Sequence, residues 1–292
     1  MSDAWTIGRL LKWTADYLGQ HGADSPRLEA ELLLAAARGC QRIELYTAFD
    51  ETPPDAVRTA FRELVKRRAE GAPVAYLLGQ REFFSLPLKV TPDVLIPRPE
   101  TEHLVIAALD LARGRAPQGA GLKLADIGTG SGAIAIALAK HLPQATVTAV
   151  DLSPSALAVA AENAATHGVA ERVTFLQSDL LAALPAAATF DLIASNPPYV
   201  SSAEWQALSP GVRDFEPRQA LEAGPAGTEV IERLIPQAVD RLKPGGWLLL
   251  EVSPMIEPQV VRLIVGRAEL RSLPTRKDSA GLARVVIAQK VA

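Results

Sequence analysis

Between Leu122 and Glu251, apolar runs of strand length alternate with helical stretches, and this alternation leaves few folds open to the chain. Leu122 to Ile127 reads as a strand, Gly132 to His141 as a helix, and Thr146 to Asp151 as the next strand. Ser153-Pro154 caps a helix that ends near Gly168. Val173 to Gln177 and Phe190 to Ser195 follow as strands. A helix from about Thr228 to Leu242 then passes through the turn Lys243-Pro244-Gly245-Gly246 into the strand Trp247 to Glu251. Such regular alternation argues for a parallel sheet covered by helices. Leu270 to Leu273 and Ala283 to Gln289 are expected to pair as a terminal antiparallel hairpin.

The chain before this region is different. Ile7, Leu10, Leu11, Thr14 and Leu18 recur at helical spacing, and Gly22 is placed to end that helix. Ser25-Pro26 opens a second helix, with Leu28, Leu32 and Ala35 on its apolar face and Gly39 at its end. A short segment from Ile43 to Phe49 follows. Thr52-Pro53-Pro54 then starts a longer helix, with Val57, Phe61, Leu64 and Val65 on one face and Gly71 stopping it. From Ala75 to Val90 the pattern becomes strand-like around Ser85, which suggests a hairpin. The expected division is residues 1–72 as a helical bundle that binds substrate or partner, 73–98 as a β-hairpin linker, and 99–292 as the α/β domain.

Composition narrows the function. With 48% hydrophobic and 22% charged residues the chain reads as an ordinary globular protein. Its most apolar stretch, Leu122 to Ala139, is interrupted by Asp126, three glycines, Thr129 and Ser131, too often to span a membrane. The first residues show no signal-peptide pattern, so a cytoplasmic location is expected. One cysteine, Cys40, excludes an internal disulfide framework, and four scattered histidines hardly supply a zinc site; no metal is expected. A net charge of −3 speaks against a broad basic face for nucleic acid, and the cluster Arg62, Lys66, Arg67 and Arg68 reads first as a solvated helix face.

Asp126-Ile127-Gly128-Thr129-Gly130-Ser131-Gly132-Ala133 occupies the first strand-to-helix turn. Glycines there let the backbone approach a ligand closely, and the following helix offers free N–H groups. Asp151 ends the next strand, where a carboxylate can accept both hydroxyls of a ribose. These features alone fit a dinucleotide as well as S-adenosylmethionine, because Gly128-x-Gly130-x-x-Ala133 matches the alanine variant of the dinucleotide fingerprint. Asp126 favours S-adenosylmethionine, since a carboxylate suits a cationic amino-acid moiety better than a pyrophosphate. So does Ser178-Asp179-Leu180, where Asp179 can accept from the adenine amino group and Leu180 can pack on the ring. Asp179 reads equally well as a helix cap.

Asn196-Pro197-Pro198-Tyr199 at the end of the fourth strand decides between these ligands. Two prolines stop the strand and leave the carbonyls of Asn196 and Pro197 without ladder partners. The Asn196 side-chain oxygen and the Pro197 carbonyl can each take one N–H of a planar –NH2 group, aiming its nitrogen at a methyl donor, with Tyr199 flat against the plane. Hydride transfer has no use for such a clamp. Upstream, two prolines hold Arg98 extended in Leu95-Ile96-Pro97-Arg98-Pro99-Glu100-Thr101-Glu102. This segment reads either as a stiff connector with acids at a helix N-terminus or as a strip beside the cofactor. The connection from Val200 to Gly227, with Trp205, Phe215 and Arg218, is long enough to suggest substrate binding or a lid.

These stretches together, with Glu216-Pro217-Arg218 through Gly227, resemble the HemK/PrmC family, the protein-(glutamine-N5) methyltransferases of peptide-chain release factors. The resemblance covers nearly the whole chain. It implies a class I, Rossmann-like S-adenosylmethionine-dependent methyltransferase domain with a small N-terminal helical domain. The implied reaction methylates the glutamine of the release-factor Gly-Gly-Gln loop, bears on translation termination and yields S-adenosylhomocysteine. Candidate cofactor-binding residues are Asp126, Gly128, Thr129, Gly130, Ser131, Gly132, Asp151, Asp179, Leu180 and Asn196. Asn196, Pro197 and Tyr199 are the candidate catalytic residues; these three with Pro198, Arg98 and Glu100 are candidates for holding substrate. Leu180 stands where the family commonly has an aromatic, and Val252 to Gln259 lacks a glycine often found there. The expected partner is a release factor, met by a monomer without direct nucleic-acid binding. The competing readings are methylation of an exocyclic amine in RNA or DNA, a non-catalytic S-adenosylmethionine-binding scaffold, and a nicotinamide-dependent dehydrogenase.

Overall fold

The computed structural model describes residues 4–291, which divide into two compact units. The first takes the chain up to Gly79 together with Ser209–Phe215; the second takes Gln80–Leu208 and the chain from Glu216 onward.

Up to Gly79 the first unit consists of α1 (Ile7–Gln20), α2 (Pro26–Arg38), α3 (Arg42–Thr47), α4 (Asp55–Ala69) and α5 (Val74–Leu78). Thr6 caps α1 by accepting from the Arg9 N–H at 3.3 Å, and α2 ends at Gly39, whose left-handed φ of 68° lets the chain turn away. Ile7, Leu11, Leu18, Leu33, Leu34 and Leu45 are fully buried between these helices. The inward face of α2 is rotated from the expected one: Leu28 is exposed, while Ala30, Leu33 and Leu34 are buried. One reason is Glu31, buried on that face because Arg27 at 2.7 Å, Arg42 at 2.9 Å and the Tyr46 hydroxyl all serve its carboxylate. The strand expected from Ala75 instead begins as helix α5, with Pro73 before it and Gly79 at φ 70° closing it. Val74, Leu77 and Leu78 pack on the bundle core, and tertiary packing outweighs the strand-like pattern.

In the second unit the hairpin forms from β1 (Gln80–Phe83) and β2 (Leu86–Lys89), turned by Phe84 and Ser85 at positive φ. It is followed by α6 (Thr101–Arg115), β3 (Lys123–Ile127), α7 (Ala133–His141), β4 (Thr146–Asp151), α8 (Pro154–Thr166), β5 (Val173–Gln177) and β6 (Phe190–Ser195). Then come β7 (Val200–Ser201), α9 (Ser202–Ala207), α10 (Pro210–Arg213, within the first unit), β8 (Glu222–Gly224), α11 (Glu229–Arg241), β9 (Leu242–Glu251), α12 (Glu257–Val265), β10 (Leu270–Lys277) and β11 (Ala283–Lys290). The main sheet has seven strands in the order β10-β11-β9-β6-β3-β4-β5. Strands β9, β6, β3, β4 and β5 are parallel, and β11 and β10 add the expected antiparallel hairpin at one edge. Apolar cores cover both faces of this sheet. The chain leaves β3 toward β4 and β5, then returns to the other side of β3 as β6, so a crevice opens at the carboxyl ends of these strands.

Two polar residues tie the second unit together. Asn163 on α8 accepts from the Lys89 N–H at 2.7 Å and donates to the carbonyls of Lys89 at 3.0 Å and Ser131 at 2.9 Å, pinning the hairpin and the glycine turn to one helix. Lys243 to Gly246, expected as a turn before the strand, form an irregularity inside β9, between the register points Phe190↔Leu242 and Leu192↔Trp247. Asp191 sits in the gap and accepts from the Lys123 N–H at 2.9 Å and Lys243 Nζ at 2.6 Å, with Arg115 at 3.6 Å. Burial alone would push its pKa up; the Lys123 N–H, Lys243 and Arg115 overcome this and hold it below the ordinary value. Asp191→Ala should therefore cost roughly 1–2 kcal/mol at pH 7, chiefly by leaving the Lys123 N–H without its acceptor, since Lys243 and Arg115 are exposed enough to be hydrated. In urea titrations the deficit should shrink as the pH falls through the depressed pKa, since the wild type then loses the same contribution.

Candidate active site

The crevice at the sheet edge is a cleft of about 300 Å³. Its floor includes Gly128, Gly130 and Asp151, and Asn196 and Pro198 stand on one side. Gly128 and Gly130 adopt φ of 73° and 54°; a Cβ on Gly130 would meet no atom within 4 Å, so the backbone there faces open space. Gly132 serves otherwise: a Cβ would lie 2.9 Å from Ile136 Cδ1 and 3.1 Å from Ala160 Cβ, so its absence lets α7 and α8 pack.

Asp151 is held by two backbone donors, Gly130 N–H to Oδ2 and Ser153 N–H to Oδ1, both at 2.9 Å. Each oxygen keeps lone-pair capacity toward the cleft, as recognition of a vicinal diol requires. Leu180 lines the cleft at φ 52°, an uncommon conformation for a branched side chain, and Val94 and Leu95 add apolar wall. Asp179 also lines it, half exposed and ion-paired to Arg233.

Asp126, Thr129, Ser131 and Gly132 lie behind this surface and are not among its lining residues. Asp126 is 0% exposed. Its Oδ2 accepts from Thr129 Oγ1 at 2.6 Å and from the Ala135 N–H in the first turn of α7 at 3.0 Å, while Oδ1 is buried without a partner. Burial, with Asp151 nearby, pushes its pKa up to about 7 against those two hydrogen bonds. From beneath the loop Asp126 braces the turn against the helix.

At the end of β6 the Asn196 amide Nδ2 donates to Thr101 Oγ1 at 3.2 Å, which leaves Oδ1 as the acceptor of that side chain. The buried Pro197 takes no backbone hydrogen bond at its carbonyl among the described residues. Tyr199 donates to Glu251 Oε1 at 3.3 Å. Arg98 is not on the cleft wall; it pairs at 2.5 Å with the buried Glu216, whose other oxygen accepts from the Ile96 N–H at 3.2 Å. Together these contacts fasten the Leu95 to Pro99 strip to the start of the segment whose Pro217, Gln219, Ala220 and Glu222 wall the cleft. Glu100 stands at the N-cap of α6 without a side-chain cap bond. Sequence reasoning passed over Thr101 and Glu251, which hydrogen-bond to Asn196 and Tyr199. Glu251 could have been found, because it ends a buried parallel strand at the same sheet edge as Asp126, Asp151 and Ser195.

A further groove of about 330 Å³ lies on the helical unit, lined by Trp5, Trp13, Tyr17, Phe61, Arg62 and Lys66 among others. Trp13 and Tyr17 stack at 5.0 Å between ring centroids. Arg62 and Lys66 make no ion pair among the described residues, whereas Arg68 is taken up by Glu29 at 2.7 Å.

Open glycine backbone, a diol-ready carboxylate and an apolar wall fit S-adenosylmethionine. With the amide-presenting strand end beside them, they place the α/β unit among the S-adenosylmethionine-dependent methyltransferases. Solved structures agree on the fold. A methyltransferase from Pyrococcus furiosus is similar over 78% of this chain and 98% of its own at a TM-score of 0.53 and 18% identity. The ribosomal protein L11 methylase of Lactobacillus delbrueckii subsp. bulgaricus is similar over 70% and 86% at a TM-score of 0.50 and 22% identity. Residues 9–79 match the family model of the PrmC N-terminal domain, and residues 108–209 that of the methyltransferase small domain. The release factor glutamine methyltransferase of Rhodopirellula baltica is 53% identical over 98% of this chain and 97% of its own length. That of Geobacter sulfurreducens is 44% identical over 97% and 96%. The chain belongs to the release factor glutamine methyltransferase family.

The raised pKa of Asp126 predicts an unusual pH dependence. Its folded value lies above the unfolded one, so the folded state binds more protons and the stability of this site falls as pH rises from about 4 to about 7. Asp126→Asn removes that titration. The stability of wild type relative to Asp126→Asn, from denaturant midpoints at a series of pH values, should decline across this window and level off above it.

Proposed function

We propose that this chain transfers a methyl group from S-adenosylmethionine to the side-chain amide N5 of the glutamine in the Gly-Gly-Gln segment of a peptide-chain release factor. The observation that carries the reading is the Asn196 amide, turned by Thr101 so that Oδ1 is the free acceptor, next to the unbonded carbonyl of Pro197. Two acceptors beside one another suit the two N–H bonds of a primary carboxamide. Taking both, they orient its nitrogen and favour the pyramidal geometry in which the lone pair is released from conjugation. Tyr199, its hydroxyl anchored on Glu251, offers a ring face to the planar group. When bound in the cleft, S-adenosylmethionine supplies an electrophilic methyl group. Gly128 and Gly130 admit it closely, Asp151 takes its ribose hydroxyls, and Leu180, with Asp179 at the rim, takes the adenine end. Asp126, Thr129, Ser131 and Gly132 shape the turn from behind. We assign Arg98 to holding the cleft wall through Glu216, and place Glu100 near the substrate entrance.

The helical unit is proposed to grip the protein substrate through its aromatic groove, with Arg62 and Lys66 meeting acidic side chains. Two unpaired cations and a net charge of −3 are poor equipment for a phosphate backbone, so direct nucleic-acid binding is not part of this reading. Among the described residues no helix is long and apolar enough to cross a membrane. A cytoplasmic monomer is the form proposed.

The direct experiment is transfer of labelled methyl to a purified unmodified release factor, beside its Gly-Gly-Ala version and bulk RNA. Label on the first alone is the expected result; label on RNA or on both proteins rejects the proposal. Asn196→Ala should keep its affinity for S-adenosylmethionine while turnover falls on the order of 100-fold, and near-normal turnover would sink the clamp. Arg62→Glu with Lys66→Glu should raise KM for the whole release factor and leave kcat and the methylation of a short Gly-Gly-Gln peptide unchanged. An unchanged KM removes the groove from the scheme.

A further inference from the structure

Residues 178–189, between β5 and β6, form neither helix nor strand, so no regular ladder fixes their shape. Ser178, buried, begins the segment: its N–H donates to the Asp151 carbonyl at 2.9 Å, and its Oγ accepts from the Ala183 N–H at 3.0 Å. Inside this closed turn Leu180 is held at φ 52°, a backbone conformation that a leucine keeps only where its surroundings enforce it. The enforcing contacts come from α11. Arg233, Gln237 and Arg241 follow one another at four-residue spacing and so share one face of that helix. Arg233 ion-pairs with Asp179, Gln237 Oε1 accepts from the Leu181 N–H at 3.0 Å, and Arg241 donates to the carbonyls of Pro185 at 2.6 Å and Leu184 at 3.1 Å. The strained residue is thus gripped on both sides, before it through Asp179 and after it through Leu181.

The three rungs differ in what they serve. Asp179, Leu180 and Arg233 line the cleft, whereas Gln237 and Arg241 stand outside it. Any effect of Gln237 on a ligand must therefore pass through the peptide it holds. With Oδ2 paired to Arg233, Asp179 Oδ1 has no partner among the described residues and is the acceptor left for a ligand N–H. Without the two grips Leu180 would relax toward negative φ, and its side chain and the Asp179 carboxylate would turn together out of their present arrangement. We propose that Arg233 and Gln237 are positioning residues for the adenine end of S-adenosylmethionine, holding Asp179 and Leu180 in the arrangement that selects a purine with a 6-amino group. This rests on the reading that Asp179 and Leu180 take the adenine. It adds to that reading two residues of α11, 54 and 56 positions away from the groups they hold.

The probes are S-adenosylhomocysteine and S-inosylhomocysteine, which carries a carbonyl in place of the adenine amino group; calorimetry reads their Kd values without turnover. Wild type should prefer the adenosyl ligand by roughly tenfold or more, the effect of one hydrogen bond to a charged acceptor. Gln237→Met and Arg233→Met should each remove most of that preference by weakening the adenosyl ligand alone. Gln237→Glu, which keeps an acceptor for the Leu181 N–H, should retain it. Arg241→Met, at the rung beyond the cleft, should lower the thermal midpoint and leave the preference intact. A wild-type preference in Gln237→Met or Arg233→Met overturns the proposal. So does an equal loss of both ligands, a Gln237→Glu protein as indifferent as Gln237→Met, or a lost preference in Arg241→Met, since each marks a merely structural role. Should Gln237→Met fail to fold, Arg233→Met decides, because that side chain is exposed. Asp179→Ala separates this failure from that of the adenine reading. If it loses the preference while the α11 variants keep it, only the positioning role is wrong. If it keeps the preference, or wild type has none, the adenine reading falls and the proposal with it.

Discussion

The glycine turn after β3 depends on one buried carboxylate. A loop with three glycines in eight residues has little conformational preference of its own, and its ordering entropy must be offset by contacts it makes. Asp126 supplies them from below, joining Thr129 inside the loop to the Ala135 N–H at the start of α7, while Asp151 holds Gly130 from the neighbouring strand. Asn163 reaches the Ser131 carbonyl from α8. Three polar side chains from three elements thus replace the stiffness that the loop lacks. The backbone stays bare where a ligand must come close and is braced everywhere else.

Much of the α/β unit was legible because its signals are local. Strand ends were read to within a residue or two at β3, β4, β5 and β6, where short apolar runs are bounded by charged or glycine-rich turns. The cleft residues Gly128, Gly130, Asp151 and Asn196 follow from position at strand ends alone. Local pattern failed where a residue's setting is decided by distant partners. Ala75 to Leu78 look like strand residues, but Val74, Leu77 and Leu78 pack on the bundle core as a single helical turn. Leu28 lost its place in the core to the other face of α2, where Glu31 finds Arg42 and Tyr46 across 11 and 15 positions of sequence.

The functional residues divide in the same way. Asp126 was recognised as important, but its bonds to Thr129 and the Ala135 N–H went unread, because sequence order says that it precedes the glycines without saying on which side of them it lies. Thr101 and Glu251 went unread because they meet Asn196 and Tyr199 across 95 and 52 positions, with no motif to announce them. Motifs record the surface that touches a ligand. The layer that holds this surface in place is written in residues scattered along the chain.

The ion pair between Arg98 and Glu216 spans 118 positions. During synthesis the chain leaves the ribosome from its N-terminus, so the strip around Arg98 waits through the making of α6, β3, β4, β5 and β6 before its partner exists. The wall that Glu216 begins can therefore be fastened only after the strands leading to Gly128, Asp151 and Asn196 have all been made.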